Sequence, residues 1–210
     1  SDGMGGYQAG EVASKIIVDT LIEQFKTDKE KLSSEQEIET FFKTNIMSSH
    51  EKILEYSKKQ KIENMGGTVC GLFLNNDQYY FAWVGDSRIY KYSSNELVQL
   101  TEDHSVVWDL YKSGNISYGQ MRIHPFRNVI TRAVGSSDNL QIDFNFGEIS
   151  DIEYFLICSD GLHGELTDLE IEEIIENNND IEKMVEELVK TANERGGSDN
   201  ISVILVRLIN

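Results

Sequence analysis

The fold of the chain is decided by the stretch Tyr154-Phe155-Leu156-Ile157-Cys158-Ser159-Asp160-Gly161-Leu162. Its apolar first half, bounded by a turn signal, predicts a buried central strand. That strand delivers Asp160 to its carboxyl end, where we expect Gly161 to let the chain turn sharply. The sequence therefore predicts a carboxylate held at the end of a rigid element.

Two other aspartates lie in similar settings, far away in the sequence. Asp2 lies in Asp2-Gly3-Met4-Gly5-Gly6, and Asp199 lies in Gly196-Gly197-Ser198-Asp199-Asn200. An Asp-Gly pair alone is more often a structural turn than a site. Three such carboxylates at the ends of regular elements instead indicate a shared site for hard divalent cations, Mg²⁺ or Mn²⁺.

Composition limits the possible functions. The 210 residues favour one domain, and the 40% hydrophobic content is enough for a core. The net charge of −17, from 19 basic and 36 acidic residues, argues against nucleic-acid binding. The sequence shows no membrane segment and no signal peptide, so we expect a cytoplasmic location. Cys70 and Cys158 lie in apolar strand patterns, which favours buried free thiols over a disulfide.

The order of predicted elements favours an α+β fold. Apolar spacing predicts a helix over about residues 9–25, and a capping box of Ser34 with Glu37 opens a second, longer helix. Later strands are predicted at residues 68–74, 79–84, 88–92, 97–100, 140–146, 153–158 and 201–208, with helices at 105–112, 168–176 and 181–194. This order is not a βαβ alternation, so a mainly antiparallel layered architecture is expected. Residues 115–128 are irregular and form a candidate substrate-facing flap.

An ordered series of motifs along almost the whole chain resembles the metal-dependent protein serine/threonine phosphatases, the PPM or type-2C family, in its compact bacterial form. Each motif is weak alone, whereas the series is specific. The motifs are Asp2-Gly3-Met4-Gly5-Gly6 with Ala9-Gly10-Glu11-Val12-Ala13, Gly66-Gly67-Thr68, Val84-Gly85-Asp86-Ser87-Arg88, Leu100-Thr101-Glu102-Asp103-His104-Ser105, His124-Pro125, Asn128-Val129-Ile130-Thr131-Arg132-Ala133-Val134-Gly135, Cys158-Ser159-Asp160-Gly161-Leu162 and Gly196-Gly197-Ser198-Asp199-Asn200-Ile201.

The resemblance implies a four-layer α-β-β-α sandwich of two mainly antiparallel sheets flanked by helix pairs. It also implies two Mn²⁺ or Mg²⁺ ions at one end of the sandwich. By resemblance, Asp2 bridges both ions, the Gly3 carbonyl binds the second, and Asp160 and Asp199 hold the first. A third, looser ion would use Asp86 together with Asp160.

The chemistry of the residues agrees with that implication. A phosphomonoester and a carboxylate cluster are both anionic, so metal charge must invert the local field before they can meet. Two metal ions would supply a bridging hydroxide as the nucleophile and stabilise the leaving oxygen. Neither cysteine has a basic phosphate cradle around it, which argues against a thiol nucleophile.

The chain departs from the family pattern at its start. The family normally carries a preceding hairpin with a phosphate-binding arginine and an acidic segment that supplies a carboxylate to the second metal. We therefore expect a single domain over 1–210 that is truncated at its N-terminus, with one sheet incomplete and a new edge exposed. On this expectation the chain by itself is weakly active or inactive.

Several side chains leave two interpretations open. His50 is expected to be solvated, and His104 to cap or bond locally. His163 lies two residues after Gly161, close to the expected metals, and a metal or acid role there stands against a structural one. Arg88 is expected to pair with a buried acid rather than with substrate, whereas Arg132 can do either.

The favoured function is a monomeric phosphatase that hydrolyses phosphoserine and phosphothreonine in proteins and opposes a bacterial Ser/Thr kinase. One alternative is a pseudophosphatase or regulatory binding module on the same scaffold. Another is a phosphatase of a sporulation or stress anti-sigma pathway. The motifs around Asp86 and Asp103 look closer to the kinase-opposing type.

Overall fold

The structure, a computed structural model, describes residues 1–75, 77–136 and 139–209. Its helices are α1 (Tyr7–Asp28), α2 (Glu35–Gln60), α3 (Val106–Lys112), α4 (Tyr118–Met121), α5 (Asp160–His163), α6 (Asp168–Glu176) and α7 (Ile181–Arg195), with a 3₁₀ turn at Lys29–Lys31. Its strands are β1 (Gly3–Met4), β2 (Gly66–Gly67), β3 (Val69–Asn75), β4 (Gln78–Val84), β5 (Arg88–Ser93), β6 (Glu96–Gln99), β7 (Asp143–Glu148), β8 (Tyr154–Cys158) and β9 (Val203–Arg207).

The strands form two main sheets, and every described strand pair is antiparallel. One sheet has the order β3-β4-β7 and the other the order β6-β5-β8-β9, while β1 and β2 pair separately. Strand β8 lies between β5 and β9, and all its residues except Ile157 are buried. The predicted central strand is therefore confirmed.

Three apolar clusters show that the molecule has four layers. One cluster joins α1 and α2 to the first sheet, through residues such as Ile17, Ile46 and Ala82. A second joins the other sheet to α6 and α7, and the third lies between the sheets around Phe81 and Phe155. Helix pairs thus cover the outer face of each sheet, which confirms the expected α-β-β-α sandwich.

Local signals account for several element boundaries. The Ser34 hydroxyl accepts from the Glu37 amide, and the Glu37 carboxylate accepts from the Ser34 amide at 3.0 Å, so the predicted capping box is present. The first helix runs three residues beyond the predicted end at Phe25, to Asp28. The β3–β4 hairpin pairs Asn75 with Gln78; Asn76 of its predicted turn lies outside the described residues.

Both cysteines are free thiols, as predicted. Cys158 is buried, and burial raises the pKa of its thiol to about 12. Cys70 is half-buried, and its thiol donates to the Ser87 carbonyl at 3.0 Å. Neither thiol is therefore activated for nucleophilic attack.

Candidate active site

Asp2 is tied to the turn after β4 through one threonine. The Asp2 amide donates to the Thr68 hydroxyl at 2.9 Å, and the Thr68 amide donates to the Asp2 carbonyl at 2.8 Å. The same hydroxyl lies 2.7 Å from the Ser87 hydroxyl. Thr68 therefore connects Asp2 with the residue next to Asp86, a role that its place in the Gly66-Gly67-Thr68 motif did not reveal.

Gly3 pairs with Gly67 in the small β1–β2 sheet. A Cβ atom at Gly10 would lie 2.6 Å from the Gly3 carbonyl oxygen, so Gly10 must stay glycine for β1 to approach α1. This contact explains why the first motif continues into the helix. The use of the Gly3 carbonyl as a metal ligand stays a prediction.

Asp160 is the first residue of α5, directly after β8. The preceding Ser159 links its turn to the loop of Asp199, because the Ser159 hydroxyl donates to the Asn200 carbonyl and accepts from the Ser202 amide, both at 3.1 Å. Gly161 plays a different role from the one expected. It lies inside a helical turn, and a Cβ there would lie 2.3 Å from the Asn200 carbonyl oxygen. It permits close approach rather than a sharp bend.

Asp199 lies in the loop between α7 and β9 and is exposed. Its Oδ1 accepts from the Asn200 amide at 2.7 Å. The neighbouring Ser198 hydroxyl donates to Glu165 at 2.6 Å, which attaches this loop to the segment after α5. The loops carrying Asp160 and Asp199 are therefore held together by hydrogen bonds on both sides.

Asp86 lies in the turn between β4 and β5 and is buried. Two histidines hold this turn. His104 Nδ1 accepts from the Gly85 amide at 3.1 Å, and His163 Nε2 lies 2.9 Å from the Asp86 carbonyl. Gly85 has φ of 103°, a left-handed conformation that favours glycine.

The four aspartates interact electrostatically. Burial, followed by the charges of Asp86 and Asp2, raises the pKa of Asp160 to about 8. Burial and the nearby Asp103 raise the pKa of Asp86 to about 7. Burial also raises the pKa of Asp2, whose carboxylate shares a hydrogen bond with that of Asp160. The structure thus brings the predicted carboxylates Asp2, Asp86, Asp160 and Asp199 together at one end of the sandwich.

The donor set fits a hard divalent cation. All the candidate side-chain ligands are carboxylate oxygens, which Mg²⁺ and Mn²⁺ prefer. Asp160 Oδ1 is buried and has no hydrogen-bond partner in the described part of the chain. Over residues 1–75, 77–136 and 139–209, however, no three His, Cys, Asp or Glu side chains form a ready metal cluster. The carboxylates converge without closing a cage, as their mutual repulsion requires.

The structure decides the roles of the other motif residues. Arg88 makes a two-pronged ion pair with Asp103, at 2.8 and 2.7 Å, which confirms its predicted pairing with a buried acid. Arg132 contacts Asp143 at 3.2 Å. His104 was expected to cap or bond locally, and this was wrong: its ring bonds the Gly85 amide and Asp143 Oδ2, both at 3.1 Å, which lie 19 and 39 positions away. His50 was expected to be solvated, and this was wrong: it is buried, and its Nδ1 accepts from the Gly135 amide at 2.9 Å.

A groove of about 600 Å³ opens beside the carboxylates. Asp86, Asp160 and Asp199 line one wall, and Asp2 interacts with Asp160. The predicted flap, residues 115–128, supplies the other wall and contains the single helical turn α4. Ile123 and Phe126 of the flap are exposed at 80% and 56%.

Comparison with known proteins identifies the family. The family model described as Protein phosphatase 2C matches residues 1–206. The chain therefore belongs to the protein phosphatase 2C family, as its motifs predicted.

Its relatives are bacterial phosphatases. It is 35% identical to the serine/threonine phosphatase stp of Listeria welshimeri over 207 residues, covering 98% of this chain and 82% of that protein. It is 33% identical to protein phosphatase PhpP of Streptococcus pneumoniae, over 99% of this chain and 84% of that protein. The structure of Stp1 from Staphylococcus aureus matches with a TM-score of 0.93 at 31% identity, covering 100% of this chain and 82% of that one.

The Arg88–Asp103 pair yields a stability prediction. Replacing Arg88 by Met leaves Asp103 buried without its partner, so we expect the free energy of unfolding to fall by about 3–5 kcal/mol. The control Lys112→Met breaks the exposed pair with Glu102 and should cost about 1 kcal/mol or less. Urea unfolding measures both. Equal losses in the two variants would show that burial does not set the strength of the pair.

Carboxylate repulsion yields a second prediction, tested on Asp160→Asn. In EDTA the variant should melt at least about 2 °C above the wild type. Because folding raises the pKa of Asp160, the wild type loses stability as the pH rises from about 4 towards 8. The difference in melting temperature between Asp160→Asn and the wild type should therefore be largest above pH 8.

Added Mn²⁺ provides the second arm of this test. At about a hundred times its dissociation constant, Mn²⁺ should stabilise the wild type by about 2.7 kcal/mol. The Asp160→Asn variant should lose this shift. Asp151→Asn, an exposed substitution away from the groove, should retain it. A full Mn²⁺ shift in Asp160→Asn would exclude Asp160 as a ligand.

Proposed function

We propose that this chain hydrolyses phosphoserine and phosphothreonine in proteins, as a metal-dependent protein phosphatase. The observation that carries the proposal is the convergence of Asp86, Asp160 and Asp199 on one groove, with Asp2 interacting with Asp160, in a member of the 2C family. The names of its relatives, serine/threonine phosphatases and a protein phosphatase, support the same substrate class.

The proposed cofactor is Mn²⁺ or Mg²⁺. Asp2 and the Gly3 carbonyl, with Asp160 and Asp199, would hold two ions, and Asp86 with Asp160 a third. When bound, the ions offset phosphate charge and lower the pKa of a coordinated water. One similar fold, the PstP catalytic domain, was solved with two manganese ions, but at 24% identity it supports the fold alone. The hard-oxygen donors and the orphaned Asp160 Oδ1 support the assignment here.

Neutral side chains of this chain hold the site in place through hydrogen bonds to backbone atoms. Thr68 fixes Asp2, Ser159 joins the turns of Asp160 and Asp199, and His163 fixes the carbonyl of Asp86. Buried Arg88 is committed to Asp103, so it adds no direct ion pair to the four ligands. Arg88 therefore does not compete with the cations for these carboxylates.

The predictions of a partner kinase, an oligomeric state and a cellular location belong to the same proposal. The kinase opposed by the enzyme, a monomeric state and a cytoplasmic location are proposed together, and the two free thiols agree with a reducing compartment. None of the helices in the described ranges is long and apolar enough to cross a bilayer. A single catalytic domain over residues 1–210 also stays a proposal. Nothing observed favours the binding-module alternative.

Activity with p-nitrophenyl phosphate and Mn²⁺ tests the function. The assay should compare residues 1–210 with a form that adds any residues preceding Ser1 in the natural protein. In the active form, Asp199→Ala should lower kcat/KM by about a thousandfold or more, because a first-metal ligand is removed. Asp151→Asn serves as the control, because Asp151 is exposed and its left-handed backbone, with φ of 62°, tolerates asparagine. Mn²⁺-dependent turnover by Asp199→Ala at the wild-type rate would contradict the assignment.

Asp86→Ala tests the third metal position. If Asp86 is a ligand of the looser ion, calorimetric titration should keep the tight metal pair, lose the weak site and show slower turnover. A purely structural Asp86 would instead lower stability by about 1–3 kcal/mol. An unchanged metal count with a lower melting temperature would exclude the third-metal role.

A further inference from the structure

Arg122, which directly follows the flap turn α4, binds backbone rather than an acidic side chain. Its Nη1 donates to the carbonyls of His163 at 2.9 Å and Leu166 at 3.0 Å, and its Nη2 donates to the Gly164 carbonyl at 3.1 Å. These carbonyls belong to the end of α5 and the segment after it, the helix that begins at Asp160. One guanidinium therefore joins the flap to the element that carries a predicted metal ligand.

A second contact attaches the same flap turn. The Tyr118 hydroxyl donates to Asp168 Oδ2, and Asp168 Oδ1 accepts from the Tyr90 hydroxyl at 3.0 Å. Asp168 is the first residue of α6, so this contact reaches the helix that follows the Arg122 site. Between the two contacts, Met121 is buried at 5% exposure. The flap turn is thus fixed at both ends and by an apolar side chain in the middle.

The geometry of Arg122 shows a guanidinium that binds backbone carbonyls rather than one that is directed towards a phosphate. Arg122 lines the groove, but its donors are directed at three carbonyls that lie close together. The planar guanidinium presents several donors in a fixed fork, whereas a lysine ammonium is a point charge. A lysine at position 122 keeps the charge and loses the simultaneous contacts.

We propose that Arg122 is a positioning residue, which holds the flap against the turn of Asp160 and so sets the shape of the groove for a phosphorylated protein segment. This inference rests on the proposed function. A phosphopeptide extends from the metals along the flap wall, whereas a small phosphomonoester needs little of that wall. Loss of Arg122 should therefore penalise the phosphopeptide more than the small substrate.

Hydrogen exchange tests the attachment independently of activity. In both Arg122→Ala and Arg122→Lys, amides of residues 115–128 should exchange about tenfold faster than in the wild type, since charge-assisted hydrogen bonds are lost. Exchange in β4 and β8 should not change. Arg207→Lys, an exposed arginine lying 5.9 Å from the Tyr154 ring centroid, is the matched control. Tyr118→Phe removes one hydroxyl from the second contact and should also speed exchange in the flap.

Kinetics with Mn²⁺ then test the consequence. For both Arg122 variants, kcat/KM for a phosphothreonine peptide should fall about tenfold, mainly through KM, and by more than for p-nitrophenyl phosphate. Three results would overturn the proposal: wild-type behaviour of Arg122→Lys, unchanged flap exchange in both variants, or equal losses on both substrates. If neither residues 1–210 nor the form with any preceding residues shows turnover, the proposed function fails, and the exchange experiment alone decides the role of Arg122.

Discussion

Mutual repulsion among Asp2, Asp86, Asp160 and Asp199 is the constraint around which this end of the molecule is built. Burial and like charge raise the pKa of Asp160 to about 8, so the carboxylates destabilise one another unless a proton or a cation intervenes. The rest of the sandwich must hold them in place against this force. A carboxylate cluster that is destabilised by repulsion when no metal is bound is well matched to a divalent cation, whose positive charge offsets that repulsion.

Neutral hydrogen bonds provide most of that support. Thr68 bonds both the amide and the carbonyl of Asp2, Ser159 links two loops, and His163 holds the turn of Asp86. These contacts are made by backbone atoms of the aspartate turns rather than by the carboxylate oxygens that are proposed to bind metal. A direct ion pair from Arg88 would instead compete with the cations, and its guanidinium is bound by Asp103. Support and ligation are therefore carried by different groups.

The two walls of the groove also differ in character. The carboxylate wall is formed by strand ends and turns, whereas the flap wall carries the exposed apolar side chain of Ile123. The flap is not simply an irregular loop, because Tyr118 and Arg122 attach its helical turn to the main body. Chemistry and recognition thus sit on opposite walls that meet at α5.

The sequence by itself determined the family and the layered fold, and it predicted the four aspartates that the structure brings together. Apolar runs, a capping box and glycine beside aspartate are local signals, which act within a few residues and can be read directly. Only the tertiary structure decided what holds those aspartates. The links from Thr68 to Asp2, His50 to Gly135 and His163 to Asp86 join residues 66, 85 and 77 positions apart. A histidine has the same local pattern whether its partner is water or a distant backbone amide, so its role depends on which elements the fold packs against it.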